Sequence, residues 1–426
     1  NCMEKACSWG FLNLRHWNSS RCISYKSLCL ETDNRHMRIT AIRETTASLT
    51  STMRNAFIDF SKMTLSVVAV ETDVVRDGRR VVGFGFNSNG RYAQGGVLRE
   101  RLIPRILEAK PGSLLDNDGS NLDPEKIRTC LLANEKPGGH GERAFAVGAI
   151  DSAIWDLVAK IEEKPLYHII ADRFNAGTFD AQVPVYPGGG YYDPDKGLDG
   201  LRAEMQTYRQ SGYTLMKMKI GGASLEEDMA RIETALEVAE TGSNLAVDAN
   251  AALSLDSAIR YAGAIDGYNL AWFEEPIDPL DFQGHAEISE VANMPLATGE
   301  NLFSKIDALN LLRHGGLRRN RDWLQFDPSL CYGPSEFIAI VKMGEELGWS
   351  PRRHGPHGGQ QLGLHLAAGL QLGGTETYPL VFQPFGGFGD DVVIENGMVR
   401  PPEIPGIGVE QKSVLYNKVL RPLIDD

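Results

Sequence analysis

Between residues 215 and 357, short apolar runs stop one after another at an ionisable side chain. The runs are Leu215-Met216-Lys217-Met218-Lys219, Leu245-Ala246-Val247-Asp248, Leu270-Ala271-Trp272-Phe273-Glu274, Leu296-Ala297-Thr298-Gly299-Glu300 and Trp323-Leu324-Gln325-Phe326-Asp327. With His357, the stopping points fall at 219, 248, 274, 300, 327 and 357, in steps of 29, 26, 26, 27 and 30. Each run has strand length, and amphipathic helical patterns fill several of the intervals; Ser224-Leu225-Glu226-Glu227 makes a capping box for one of them. Strands alternating with helices argue for a parallel sheet. The step is that of a (β/α)₈ barrel, at about 30 residues per unit. In a barrel, residues one unit apart at the C-terminal ends of strands converge on one mouth, which an open doubly wound sheet does not achieve. The spacing therefore predicts an α/β chain with a (β/α)-barrel over residues 166–394.

The preceding stretch has a different texture. From Met37 to about Phe86 it is β-rich, with Leu65–Val70 and Val81–Phe86 flanking an Asp77-Gly78 hairpin signal. Gly83-x-Gly85 is not a dinucleotide fingerprint, because Asn87-Ser88-Asn89-Gly90 follows where a helix must begin. Helical patterns end in Phe145–Lys160. Residues 37–165 are thus expected to form a small α+β capping domain, with 395–426 packing back on it. Residues 1–36 hold four of the six cysteines and no apolar signal core. They are read as extra sequence ahead of a start at Met37, with an organelle-targeting peptide as the alternative. Cys130 and Cys331 are expected to be buried thiols in a reducing, cytoplasmic setting. The formal net charge of -13 argues against nucleic acid or an anionic membrane as partner, and no apolar run is long enough to span a bilayer. A small anionic substrate remains compatible, because a metal or local cations reverse the sign inside a pocket.

Three strand ends carry carboxylates: Asp248, Glu274 and Glu300. Any one alone would be read as a helix cap or a partner for a surface lysine. Three in register with the barrel period offer hard oxygen ligands and open positions, the donor set of Mg²⁺ bound beside an anionic substrate. Lys217 and Lys219 are two apart on a strand and so point to one face. Paired cations and a nearby metal are expected to lower the pKa of one lysine and make it a usable base. Asp327 and His357 end the next two strands, where a carboxylate beside an imidazole makes a competent general acid. His354 competes for that role, with His357 preferred. Glu376 falls near the eighth strand end; the alternatives are a protonated contact to a substrate carboxylate or a surface ion pair.

With these residues in this order the chain resembles the mandelate racemase-like branch of the enolase superfamily. The matching stretches are Lys217-Met218-Lys219, Val247-Asp248-Ala249-Asn250, Phe273-Glu274-Glu275-Pro276, Gly299-Glu300-Asn301, the Asp327/His357 pair, and Ala149–Leu157 as the helix before the barrel. The resemblance runs from Met37 almost to the C-terminus and implies a modified, TIM-like barrel and a homo-oligomer. Within that branch the chain looks most like the D-tartrate dehydratases, through Arg54–Phe60, Gly85–Tyr92, Asn134–Arg143, Pro356–Gly359 and Gln383–Phe388. That resemblance implies Lys219 as base, His357 as acid, and Asn55 and Lys136 as substrate contacts; loop or cap residues are the equal alternative for Asn55 and Lys136. One departure is Ala251-Ala252 after Asn250, where relatives carry glycine and a larger residue.

The implied reaction is dehydration of an acid sugar, D-tartrate to oxaloacetate foremost. Lys219 removes the proton α to a carboxylate, Mg²⁺ and Lys217 stabilise the enediolate, and His357 assists loss of the β-hydroxyl. Dehydration of another aldonate or aldarate, or racemisation of a 2-hydroxy acid, uses the same groups. A non-catalytic barrel protein is the alternative from another class.

Overall fold

The computed structural model describes residues 37–49, 51–110, 112–193 and 195–425. The reading of residues 1–36 and their cysteines lies outside the described residues.

The chain begins with three antiparallel strands, β1 (Ile39–Ser48), β2 (Thr64–Arg76) and β3 (Arg79–Phe86), in the order β1-β2-β3. Asp77 and Gly78 form the β2–β3 turn, both with positive φ (49° and 76°), as a two-residue hairpin requires. A helix, α1 (Glu142–Ile161), packs on this sheet and is buried almost all round. Gly83 and Gly85, two apart on β3, face it. A Cβ on either would come within 2.1 Å of the Ala153 carbonyl oxygen or 2.2 Å of that of Ala149. The Gly-x-Gly pair is therefore a seat for a helix, in keeping with its rejection as a phosphate loop. Asp156 on α1 ties three segments together: it accepts from Phe84 N (2.9 Å), Ile407 N (2.6 Å) and Lys160 Nζ (2.6 Å). Asp151, one turn earlier, accepts from the backbone N and the hydroxyl of Ser335, both at 2.9 Å.

The strand–helix alternation then follows: β4 (Val183–Gly189), α2 (Gly197–Gln210), β5 (Met216–Lys219), α3 (Leu225–Ala239), β6 (Leu245–Asp248), α4 (Leu255–Ile265), β7 (Phe273–Glu274), α5 (Phe282–Val291), β8 (Leu296–Thr298), α6 (Lys305–His314), β9 (Trp323–Leu324), α7 (Pro334–Glu346), α8 (Gln361–Gly369) and β10 (Thr375–Thr377). Strands β4 to β9 pair in parallel in chain order, and β10 pairs in parallel with β4. Residues 354–357 bridge β9 and β10. Gly355 N and His357 N donate to Leu324 O (2.9 Å) and Phe326 O (3.2 Å), while Gly373 N and Glu376 N donate to His354 O (2.9 Å) and Pro356 O (3.4 Å). The hydrogen bonds thus lead from β9 through this segment and β10 back to β4.

Side-chain caps start several helices as each strand ends. Ser224 and Glu227 make the expected capping box on α3, and Ser254, Asp281 and Ser304 accept from the first turns of α4, α5 and α6. One step below the strand ends, Tyr186, Ala246, Trp272 and Ala297 pack into a layer of their own. No helix among the described residues is long and apolar enough to cross a membrane.

Candidate active site

Parallel pairing sets the acids side by side. Lys219 is in register with Asp248, and Asp248 with Glu274; Glu300 follows two residues after β8. One carboxylate oxygen from each of Asp248, Glu274 and Glu300 lies within 4.8 Å of the others, and all three residues are buried.

Both lysines reach into this cluster. Lys217 Nζ lies 2.5 Å from Glu274 Oε1, 2.8 Å from Glu376 Oε1 and 3.3 Å from Asp248 Oδ2. Lys219 Nζ pairs with Asp248 Oδ2 and stands 5.2 Å from the centre of the Tyr191 ring. The expectation of a lowered lysine pKa includes a bound metal; the protein groups by themselves act the other way. Burial pulls both ammonium groups downward, but Glu274, Glu376 and Asp248 outweigh it for Lys217, and Asp248 chiefly does so for Lys219. Both lysines are held above the ordinary range.

His357 lies on the far flank of the acidic arc, beyond β9 in the hydrogen-bonding order. Its Nδ1 is 2.8 Å from Asp327 Oδ2, and Asp327 Oδ1 accepts from Ser329 N at 2.7 Å. Nε2 faces Glu300 Oε2 at 3.3 Å and Glu376 Oε2 at 3.8 Å. Burial would push this imidazole down, yet Glu300 and Asp327, with Glu376, raise it to about 10. His354, the competitor, turns the other way: its ring packs against Gly344 of α7, neither ring nitrogen has a hydrogen-bond partner, and burial lowers it to about 3.

Glu376 is buried beside Lys217, whose charge, with those of His357 and Lys219, outweighs burial and holds its pKa below the ordinary value. A protonated Glu376 is therefore disfavoured, and its ion-pair partner is an interior cation, not a surface one. Asn55 and Lys136 are not brought into the cluster. Asn55 Oδ1 accepts from Phe57 N (2.9 Å) and Ile58 N (2.7 Å) of its own loop, and Lys136 is exposed. Cys331 is buried as expected, whereas Cys130 is half-buried.

Sequence reasoning passed over three supporting residues. Trp272 Nε1 and Gln325 Nε2 each donate to Glu274 Oε2 at 2.8 Å, and Asn301 Nδ2 donates to both oxygens of Glu275 (2.8 and 2.7 Å). Trp272 and Gln325 sit two residues before Glu274 and Asp327, so strand alternation alone turns them to the same face.

The donor set fits a hard divalent cation. Five buried carboxylates (Asp248, Glu274, Glu300, Asp327 and Glu376) pair with two lysines and one imidazole, and a sixth, Glu275, is buried beside them. Burial and repulsion from Asp248 push Glu274 up to about 8 despite Lys217, and Glu300 Oε2 accepts no hydrogen bond. An added double positive charge satisfies both.

Residues 200–413 match the family described as enolase C-terminal domain-like. The 3,6-anhydro-alpha-L-galactonate cycloisomerase of Streptomyces coelicolor is 29% identical over 85% of this chain and 92% of its own. The L-talarate/galactarate dehydratase of Salmonella typhimurium is 30% identical over 70% and 69%. Among solved structures, the L-talarate dehydratase of Polaromonas sp. JS666, complexed with Mg and L-glucarate, aligns with a TM-score of 0.67 and 26% identity, covering 87% of this chain and 94% of that one.

Proposed function

Because the chain belongs to the enolase C-terminal domain-like family, whose members here are acid-sugar dehydratases and cycloisomerases, we propose that it is a magnesium-dependent hydro-lyase acting on an acid sugar, D-tartrate foremost, to give oxaloacetate. The parallel segments from β4 through 354–357 to β10 make its modified (β/α)-barrel, residues 37–165 with 395–426 its cap. The carrying observation is the placement of Lys219 and His357 on opposite flanks of the Asp248–Glu274–Glu300 arc in the strand order.

Asp248, Glu274 and Glu300 would hold the ion. Bound there, magnesium would supply positive charge to substrate carboxylate oxygens and would weaken the hold of Asp248 on Lys219. Lys219 takes the proton α to the carboxylate. Lys217, fixed by Glu274 and Glu376, presents a preorganised cation where negative charge develops. His357 gives its Nε2 proton to the departing β-hydroxyl, and Asp327 holds the ring and stabilises its charged form. The product enol then tautomerises to a keto acid. Stretches 54–60, 85–92, 134–143 and 383–388 support tartrate through their likeness to D-tartrate dehydratases. In this reading Asn55 and Lys136 approach the substrate only after their loops rearrange.

The names of the relatives favour a second reading, a longer aldarate or aldonate. The test is keto-acid formation by the Mg²⁺-loaded protein against D-, L- and meso-tartrate, talarate, galactarate and arabinonate. Turnover of D-tartrate to oxaloacetate is expected. Turnover confined to the longer acids replaces the tartrate reading with the second, and no keto acid from any of them removes the dehydratase.

A further inference from the structure

Three segments of the chain are shaped around the side chain of Tyr378. A Cβ on Gly188, at the end of β4, would lie 2.5 Å from Tyr378 Cε1; one on Gly359 would lie 2.2 Å from Cδ2; one on Gly386 would lie 2.9 Å from its Cβ. Phe382 closes a further side edge-on, with ring centroids 4.8 Å apart, and Gln383 Nε2 donates to the Tyr378 carbonyl at 3.1 Å. The ring is 1% exposed. So tightly held, the side chain delivers its hydroxyl to one place: 3.5 Å from His357 Nε2.

Because Nδ1 is committed to Asp327, Nε2 is the nitrogen that faces the substrate. A hydroxyl 3.5 Å from it is at the long limit of a direct bond. That spacing lets one further oxygen sit within hydrogen-bonding distance, about 2.8 Å, of both groups. We propose that Tyr378 is a catalytic residue that, together with His357, forms the subsite for the leaving β-hydroxyl. This rests on the dehydratase reading. As the Cβ–O bond breaks, its electron pair goes to oxygen, His357 supplies the proton, and water departs. Tyr378 transfers no proton; it donates a hydrogen bond that strengthens as charge grows on that oxygen.

The experiment compares wild type and Tyr378→Phe, both loaded with Mg²⁺, on an acid sugar that the wild type dehydrates. The ring and its cradle stay in place, so the variant keeps its packing. Expected is a fall in kcat for water loss of about 10- to 100-fold. Deuterium exchange at the α-carbon in D₂O should hold at the wild-type rate, with KM little changed. A β-chloro analogue, whose leaving group needs no proton, should bring the variant back near wild type. An unchanged kcat on the hydroxy substrate, or equal losses of exchange and water release, overturns the assignment while wild-type turnover keeps the dehydratase. A wild type that dehydrates none of the acids removes both.

Discussion

His357 Nδ1 and Asp327 Oδ2 lie 2.8 Å apart at the ends of neighbouring strand segments, and that bond decides which ring nitrogen can do chemistry. The carboxylate only accepts, so Nδ1 carries a proton and Nε2 is left to face Glu300, Glu376 and the space beside them.

Replacing Asp327 by Asn keeps the shape but removes the charge that stabilises the imidazolium. Turnover is expected to fall roughly 10²- to 10⁴-fold, with the fold intact. Steady-state kinetics beside a circular-dichroism melt separates the two quantities.

Lys219→Ala and His357→Asn should divide the reaction into halves. The lysine variant is expected to lose both α-proton exchange and dehydration, by roughly three orders of magnitude or more. The histidine variant should lose dehydration yet retain some exchange, since the lysine half remains. Proton NMR in D₂O follows both events in one tube, and an exchanging Lys219→Ala protein contradicts the role of base.

His354 predicts how stability responds to acid. Its folded pKa of about 3 lies below the ordinary 6.5, so between those values the unfolded chain binds a proton that the folded chain refuses. Stability is fully present above pH 6.5 and is lost as the pH falls toward 3. At pH 4.5 the loss amounts to roughly 2–3 kcal/mol. His354→Leu should flatten this dependence, seen as a smaller drop in denaturant midpoint between pH 7 and pH 4.5 than in wild type. Parallel drops in the two proteins would show that other groups govern the acid limb.

Ala251 sits in the left-handed region at φ 62°, and its N donates to Glu275 O at 2.6 Å. That conformation explains why glycine suits the position, and the alanine there carries strain of about 1 kcal/mol. Ala251→Gly is expected to raise the unfolding midpoint modestly and leave the acids 248, 274 and 300 in place. A lower midpoint would mean that the entropy of the added glycine outweighs the relief.

Asp248, Glu274 and Glu300 were legible in the chain because each one closes an apolar run, and parallel pairing turns near-equal spacing into adjacency. Asp248 beside Glu274 is an instance, read from a step of 26 residues and found in register. His354 was readable by the same logic, since it lies an odd number of residues from His357 and faces the other way. Loops carry no such parity. Asn55 read equally as a substrate contact or a loop residue, and its oxygen is used by the backbone two and three residues on, a local bond that competes with any distant partner. The direction in which the protein's own groups hold the lysines was not legible either. It depends on which carboxylate lies closest, and Asp248 pairs directly with Lys219.

The most direct test is a calorimetric titration of Mg²⁺ into metal-stripped wild type and Asp248→Asn. One ion per chain is expected in the wild type, with loss of that binding in the variant. Binding that survives Asp248→Asn undiminished, or no binding in the wild type, would contradict that expectation.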